Sequence, residues 1–483
     1  MRLVHTSDWH LGQRLHERPR DFEHRRFLDW LLELLVAQAA DALVVAGDVF
    51  DSANPPAEAQ RAYFEFLAAC RRRLPELDVV ILGGNHDSPL RLDAPAELLR
   101  AVRVHVLGGL PRLPEALAAP GRAAGDAPEA APTVAELDTG RAVIPLRRRG
   151  GEIAAWLVAV PYLRPTDLPS LLTAELLTAS GDAATDARDR AARLEQASAQ
   201  LLGSVRAIYQ QLFDAARAQR QPGQALLAAG HCYLAQTRTS VDSERKIQLG
   251  NQLPLPVELF PPEVAYVALG HLHLGQCVAG QEHIRYSGSP IPLALSEADY
   301  RHQVLIVDFE GDRLQQIRAE PVPRSVEILR VPEQPRSLAE VLPLLHSLPA
   351  RGPAEASPDE RPYLEVRVRL GANETNAALR KTIEEATASA WPRLLRIAVT
   401  REDGSGRLTE PGGAAGGEQL RDLDPEEVLR RRYQRWKDDP DAAVPEPQLR
   451  LFRALLDQLH EKPQGGGPAA PADSRLTDAG GPP

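Results

Sequence analysis

The sequence predicts an α/β fold with a largely parallel sheet early in the chain, and two observations support this prediction. Short apolar runs end in a glycine, an acid or a histidine, as buried strands do when they enter a loop, and they occur near residue 2 and at residues 41–48, 78–87, 225–231 and 264–271. Between the first three runs lie helical patterns such as RRFLDWLLELLVAQAA, in which apolar residues recur every three or four positions. Strands that alternate with helices are typical of parallel sheets, because each helix returns the chain to the starting edge of the sheet.

The later sequence divides into further segments. From residue 284 onward, IRYSG, HQVLIVDFEG and RLQQIRAEPV predict strands with short turns, a more antiparallel segment that completes a first domain at residues 1–320. Within this domain, a stretch at 110–140 that is rich in Ala, Pro and Gly predicts a flexible insertion, and residues 185–220 predict a long helix or a helical pair. The pattern then predicts a small α+β unit at 321–402, a linker with two C-terminal helices at 403–462, and a disordered tail at 463–483.

Composition excludes several classes of protein. A chain of 483 residues can bury a sizeable core, and its three cysteines form no CxxC pair, which argues against a disulfide framework or a structural zinc cluster. Because we find no signal peptide and no run of about 18 uncharged apolar residues, we expect a cytoplasmic protein without a membrane segment. The formal net charge of -10 counts against nonspecific attraction to nucleic acid, but it does not exclude a nuclease, since bound divalent cations change the local field.

Side chains able to bind a metal follow the predicted strands at five places. They are Asp8 and His10 in SDWH, Asp48 in AGDVF, Asn85 and His86 in GGNHD, His231 in AGHCY, and His271 and His273 in GHLH. An isolated histidine or aspartate after a strand is more often a cap or a satisfied polar group. However, active sites of open α/β sheets form outside the carboxyl ends of the strands, where side chains from all five places would meet. We therefore predict a dinuclear metal site.

The donor set narrows the choice of metal and reaction. Carboxylates, one amide oxygen and imidazoles, without a thiolate, suit manganese, iron or zinc better than calcium or a structural zinc, and manganese is our first choice. Two divalent metal ions beside two aspartates leave a net positive charge that suits an anionic phosphate. The predicted reaction is therefore phosphoester hydrolysis.

The motifs SDWH, GDVF, GGNHD, GH and GHLH, in that order, resemble those of the calcineurin-like metallophosphoesterases. The longer strings HTSDWHLGQRL, YVALGHLHLGQ and RYSGSPIPLALSEA are similar to those of bacterial nuclease subunits in that superfamily. The resemblance implies an α/β sandwich of two central sheets flanked by helices, with the small α+β unit acting as a capping domain and the C-terminal helices following it.

The resemblance also implies roles for the candidate residues. The first ion would be held by Asp8, His10 and His273, the second by Asn85, His231 and His271, and both would be bridged by Asp48. His86 would stabilise the transition state or protonate the leaving 3′ oxygen. Asp51 stands where some relatives carry a second histidine, and we assign it no catalytic role.

The activity implied by the resemblance is that of a metal-dependent DNA nuclease in repair, recombination and replication. Such proteins act as 3′-to-5′ exonucleases on duplex ends and as endonucleases on single strands or hairpins. The implied partners are DNA and an SMC-like ATPase bound through the C-terminal helices, and the nuclease subunit is implied to be a homodimer within a heterotetramer.

Two other functions compete with this interpretation. The first is a metallophosphoesterase that acts on a phosphoprotein or a small phosphodiester. Protein phosphatases typically carry an arginine in a GDxxDRG pattern, whereas this chain reads GDVFDSA. The second is a scaffold that has lost catalysis, which should lack ligands, whereas the whole set is present here.

Overall fold

The computed structural model describes residues 1–113, 137–164, 167, 187–238, 254–370 and 376–401. The predicted linker and C-terminal helices at 403–462, the predicted tail at 463–483 and most of the predicted insertion lie outside these residues. In the part of the chain that is described, no helix combines the length and the apolar character needed to span a bilayer.

Among the described residues, fourteen strands precede the small C-terminal unit. In chain order they are β1 (Arg2–Thr6), β2 (Arg14–Leu15), β3 (Arg18–Pro19), β4 (Ala42–Ala46), β5 (Asp78–Leu82), β6 (Val104–Leu107), β7 (Val143–Arg147), β8 (Ile153–Val160), β9 (Ala225–His231), β10 (Val264–Gly270), β11 (Gln276–Val278), β12 (Gln281–Tyr286), β13 (Gln303–Glu310) and β14 (Arg313–Pro321). The helices of this part are α1 (Asp21–Ala37), α2 (Ala57–Arg73), α3 (Pro89–Asp93), α4 (Ala96–Arg100), α5 (Thr139–Ala142) and α6 (Ala187–Gln219).

Most of these strands form two six-stranded sheets. The first has the order β14-β13-β1-β4-β5-β6, with β1, β4, β5 and β6 parallel and β13 antiparallel to β1. The second has the order β11-β12-β10-β9-β8-β7, with β8, β9, β10 and β12 parallel. The predicted parallel α/β core is confirmed. Of the strands from residue 284 onward that were predicted to be more antiparallel, β13 and β14 are antiparallel to their neighbours, whereas β12 is parallel to β10.

The two sheets pack against each other because the side chains of each strand alternate between faces. On the first sheet, Leu3 and Val44 lie in the core shared with the second sheet, where they join Leu226 and Val267. The next side chain along the strand points the other way, so Val4 lies in the core under α1 and α2. The result is the sandwich of two central sheets with flanking helices that the resemblance implied.

Residues 187–219 form one continuous helix, α6, where the sequence left a helical pair open. Its buried side chains Tyr209, Leu212 and Phe213 pack into the core of the second sheet. At both ends of the predicted insertion the chain also belongs to the core, since Leu110 and Leu137 are buried there.

The small C-terminal unit, which we call the cap, comprises β15 (Ile328–Ser337), α7 (Leu338–His346), β16 (Tyr363–Leu370), α8 (Asn376–Thr387) and β17 (Arg393–Arg401). Its three strands are parallel, and its core joins the sheet to both helices. A smaller apolar cluster connects the cap to the sandwich through Tyr363, Val326, Leu15 and Leu295. The Tyr363 hydroxyl also donates to Glu23 Oε1 over 3.0 Å.

Candidate metal centre

All eight candidate side chains meet at the carboxyl ends of the central strands. β1, β4 and β5 of the first sheet run into the loops that carry Asp8, Asp48 and Asn85, while β9 ends at His231 and β10 at the glycine before His271. Because these strands are parallel within each sheet, their carboxyl ends lie side by side. Residues separated by as many as 265 positions in the chain therefore share one cluster.

The cluster has two halves, and Asp48 lies between them. In the first half, Asp8, His10 and His273 offer ligand atoms that all lie within 4.8 Å of one another. In the second half, Asn85 Oδ1 lies 3.0 Å from His231 Nε2 and 3.0 Å from His271 Nδ1.

Asp48 faces one imidazole from each half. Its Oδ2 lies 3.4 Å from His10 Nε2 and 3.5 Å from His231 Nε2, while its Oδ1 accepts from the His86 backbone N–H over 2.9 Å. His86 also belongs to a group of possible ligands with His10 and Asp48. The geometry thus places Asp48 where a bridging carboxylate would stand, and it places His86 at the edge of the cluster.

The backbone around the cluster has an unusual conformation. Asp8, His10, Asp48 and His271 have positive φ angles of 53°, 47°, 48° and 107°, a region that non-glycine residues rarely adopt. Between the first two, Trp9 is buried against Phe27 and Phe66, on the side of the helices. The buried indole therefore anchors the SDWH loop, and the strained turns on either side aim Asp8 and His10 into the cluster.

Two glycines allow the loops to approach closely. A Cβ added at Gly47, where φ is +94°, would lie 2.1 Å from His231 Nδ1, and one added at Gly84 would lie 2.1 Å from Asp48 Oδ1. Any side chain at these positions would displace a candidate ligand. The glycines that precede Asp48 and Asn85 in the motifs are therefore needed for contact between loops.

Hydrogen bonds to Nδ1 orient three of the candidate imidazoles. His10 Nδ1 donates to Asp51 Oδ1 over 3.1 Å, His231 Nδ1 donates to the Ala46 carbonyl over 2.8 Å, and His273 Nδ1 donates to Glu297 Oε1 over 2.7 Å. Carboxylates and carbonyls only accept, so the proton resides on Nδ1 and each neutral ring keeps its lone pair on Nε2. This arrangement is typical of histidines that bind a metal through Nε2.

Two buried nitrogens test whether the residues present fit a metal. His10 Nε2 and His271 Nε2 are shielded from solvent and have no hydrogen-bond partner among the described residues. The lone pair of His10 Nε2 faces the Asp48 carboxylate, so two acceptors oppose each other with no proton between them. A cation between them would satisfy both, and the nitrogen and oxygen donors fit divalent transition metals.

The ionisation of the cluster also suits metal binding. Burial alone would raise the pKa of Asp48, but the positive charge that His231, and then His10 and His86, carry when protonated holds that pKa well below its usual range, and the hydrogen bond from the His86 backbone N–H acts in the same direction. Burial also acts to raise the pKa of Glu297, yet contact with His273 lowers it to about 2. Burial lowers the pKa of His271 to about 3. Near neutral pH the carboxylates are therefore charged and His271 is neutral, as metal ligation requires.

Sequence reasoning missed three acidic residues that hold the cluster in place. Asp51 orients two imidazoles, because its carboxylate accepts from His10 and its backbone carbonyl accepts from His86 Nδ1 over 2.8 Å. Asp87 accepts from the backbone N–H groups of Val49, Phe50 and Gly84 over 2.9–3.0 Å, which ties together the loops after β4 and β5. The third is Glu297, the partner of His273.

Arg164, just beyond β8, was also missed. Its Nη2 donates to the backbone carbonyls of Gly84 and Asp87 over 2.9 and 2.7 Å, on either side of Asn85 and His86. The only sequence signals for these supporting residues were motif positions: Asp51 in GDVFD, Asp87 in GGNHD and Glu297 in ALSEA.

The chain is similar to known proteins over most of its length. A family model described as calcineurin-like phosphoesterase matches residues 1–275, and a model described as the C-terminal domain of the type 5 capsule protein repressor matches residues 323–436. A Rhodobacter capsulatus protein named as the SbcD subunit of the nuclease SbcCD is 37% identical over 407 residues, which cover 83% of this chain and 88% of the relative. Proteins of the same name from Escherichia coli K12 and Bacillus subtilis 168 are 30% and 32% identical, over 89% and 64% of this chain and 92% and 66% of their own lengths.

Proposed function

Because the chain belongs to the calcineurin-like phosphoesterase family, and within it to the SbcD subunits of SbcCD nucleases, we propose that its eight-residue cluster binds two divalent metal ions and hydrolyses phosphodiester bonds of DNA. The observation that carries the proposal is the position of Asp48, whose Oδ2 lies at nearly equal distances from an imidazole of each half of the cluster. Asp8, His10 and His273 would hold one ion, Asn85, His231 and His271 would hold the other, and Asp48 would bridge them.

When bound, the two ions supply positive charge for the phosphate and lower the pKa of the attacking water. The protein's own contribution is positioning and proton transfer. His86 Nδ1 donates to the Asp51 carbonyl, which fixes the ring and leaves Nε2 on its opposite side. As the imidazolium, protonated on both nitrogens, the ring can deliver the Nε2 proton to the leaving 3′ oxygen or stabilise charge in the transition state. His86 is therefore the catalytic residue of the proposal.

Manganese is the metal we propose for this site. The donors are two aspartates, one asparagine oxygen and four imidazoles, and no thiolate belongs to the set. Hard oxygen donors together with imidazoles suit manganese, and the bridging carboxylate allows two ions to share one small site.

The proposed substrates and partners follow from the relatives, whose name describes a subunit of a complex. We propose 3′-to-5′ exonuclease activity on duplex ends and endonuclease activity on single strands and hairpins. The partner is an SbcC-type SMC-like ATPase that binds the predicted helices at 424–438 and 445–461. DNA as the substrate places this activity in the cytoplasm, at the nucleoid, in DNA repair, recombination and replication.

The nuclease subunit is also proposed to form a homodimer, and two exposed leucines support this. Leu90 on α3 and Leu98 on α4 are 85% and 77% exposed on consecutive short helices that follow the GGNHD motif. Exposed apolar side chains mark a protein interface where they form a contiguous patch, and the two helices that carry these leucines are in contact.

Replacing both leucines tests this surface. The variant Leu90→Glu/Leu98→Glu should convert a dimeric wild type to a monomer in light-scattering measurements, because two charges would be buried at the interface. The fold should remain intact, since neither side chain is part of the core. Leu344→Glu, at a leucine of the cap that is 37% exposed, serves as the control and should stay dimeric. A dimer that persists in the double variant would exclude this surface.

The activity itself is tested with a DNA hairpin and Mn²⁺, using the full chain alone and together with the ATPase subunit and ATP. We expect cleavage of the hairpin and digestion of a duplex that is blocked at its 5′ ends but not of one blocked at its 3′ ends. A chelator should abolish both reactions. If the chain hydrolyses a chromogenic phosphodiester while DNA stays intact under every condition, the proposed substrate is wrong.

A further inference from the structure

Glu297 connects the metal centre to a short turn of the sandwich. It lies in a 3₁₀ helix at Leu295–Glu297, and its buried carboxylate uses both oxygens. Oε1 accepts from His273 Nδ1 over 2.7 Å, and Oε2 accepts from the Leu293 backbone N–H over 2.7 Å. Because the carboxylate is fixed at both ends, the position of the turn determines the orientation of the His273 ring.

Two arginines from the cap side of the chain hold that turn. Arg330 on β15 donates to the Leu295 carbonyl over 2.6 Å and to Asp299 Oδ2 over 2.5 Å, so it contacts the turn before and after Glu297. Arg324, just before the cap, donates to the Ala298 carbonyl over 2.7 Å. The backbone around Glu297 is therefore held from outside the sandwich.

Arg330 is itself anchored in the cap. Its Nε lies 3.4 Å from Glu365 Oε2, and Glu365 is a buried carboxylate on the neighbouring strand β16. Arg367 pairs with the same oxygen over 3.1 Å, but its other hydrogen bond goes to the Glu333 carbonyl within the cap. Arg330 thus differs from Arg367 in that it also reaches the turn that carries Glu297.

A second set of contacts reaches the same place. Tyr363 of the cap donates to Glu23, Glu23 pairs with Arg20 over 2.5 Å, and Arg20 donates to the Pro292 carbonyl. Pro292 directly precedes Leu293, whose N–H donates to Glu297. Both routes from the cap therefore converge on the carboxylate that orients His273.

We propose that Glu297 is a positioning residue for His273 and that the cap, through Arg330, fixes the geometry of the first metal site. This inference rests on the proposed dinuclear centre. Asp8 and His10 belong to that site, but they lie in a loop that follows a strand of the first sheet. The orientation of His273 depends instead on the turn that carries Glu297, which Arg330 of the cap contacts. A displacement of the cap would therefore weaken binding of the ion at Asp8, His10 and His273. Binding of the ion at Asn85, His231 and His271 would be unchanged.

The test is a Mn²⁺ titration of the full chain. It is monitored through the EPR signal of free Mn²⁺, which measures binding independently of activity. The wild type should bind two ions. Glu297→Ala should bind one of them about 10- to 100-fold more weakly, the range typical for loss of a residue that orients a metal ligand. Glu297→Gln, which keeps a hydrogen-bond acceptor but loses the charge, should fall between the two.

Arg330→Gln and Arg367→Gln form the matched pair, because both lose a contact to Glu365 and only the first loses the contacts to the turn. We expect Arg330→Gln to lower the affinity for the same ion that Glu297→Ala affects, by a smaller factor. Arg367→Gln should bind both ions with wild-type affinity. Circular dichroism establishes that each variant is folded, and Arg324→Gln replaces Arg330→Gln if the latter does not fold.

The outcomes separate the two proposals. A wild type that binds fewer than two ions contradicts the proposed dinuclear centre. A wild type that binds two ions, with unchanged affinities in the Glu297 variants, overturns the positioning role of Glu297. If the Glu297 variants lose affinity while Arg330→Gln matches Arg367→Gln, the link to the cap is wrong.

Discussion

Asp48→Asn should abolish nuclease activity and the binding of both metal ions. The substitution keeps the volume of the side chain and an acceptor for the His86 backbone N–H, but it removes the charge that faces His10 and His231. Loss of an outer residue that only orients a metal ligand lowers metal affinity or activity by about 10- to 100-fold, so loss of the proposed bridging carboxylate should lower activity by more than about 100-fold. Hairpin cleavage and the Mn²⁺ titration measure the two effects.

Asp78→Asn is the matched control for Asp48. Asp78 is also buried, but it lies at the opposite end of β5, where it pairs with Arg103 over 2.8 Å. Its replacement should lower the melting temperature and leave Mn²⁺ stoichiometry unchanged. If Asp48→Asn still bound two ions with wild-type affinity, Asp48 would not be the bridge.

His86→Ala should lower nuclease activity strongly while metal binding is retained. We expect a fall in kcat of about 10²- to 10⁴-fold, the range for loss of a general acid, while both ions stay bound. The reason is that, in the proposed centre, the seven other side chains supply ligands for both ions, and the His86 backbone contact to Asp48 does not depend on the side chain. Single-turnover cleavage of the hairpin at saturating Mn²⁺ measures the chemical step.

The structure also allows a second role for His86, as a metal ligand, and the same variant tests it. His86 can form a group of possible ligands with His10 and Asp48, so it could bind a metal instead of transferring a proton. Loss of one Mn²⁺ from His86→Ala would establish that assignment. His105→Ala, which changes a histidine on β6 of the same sheet, should affect neither activity nor metal binding.

Much of the fold was predictable because the strands are unusually clear in the sequence. β4 and β5 are buried along their whole length, so apart from Asp78 at the start of β5 each reads as an apolar run that ends at a glycine. The predicted α/β class and family are confirmed. The order of strands in each sheet could not be predicted, because it depends on which apolar faces pair across long stretches of chain.

The candidate residues were predictable for a related reason. Side chains at the carboxyl ends of parallel strands must meet, so Asp8, Asp48 and His271 could be grouped from the sequence. Their assignment to individual ions stays a prediction. Asp51 and Glu297 could not be identified, because their roles depend on which atom of a histidine they face. The positive φ angles of Asp8 and Asp48 were equally hidden, since sequence patterns associate that conformation with glycine.

The most direct test of the dinuclear centre is a crystal structure of the chain grown with Mn²⁺, with anomalous data recorded at the manganese absorption edge. We predict two peaks on either side of the Asp48 carboxylate, one contacted by Asp8, His10 and His273 and the other by Asn85, His231 and His271. A single peak, or a second ion held by His86 in place of these ligands, would contradict the proposed dinuclear centre.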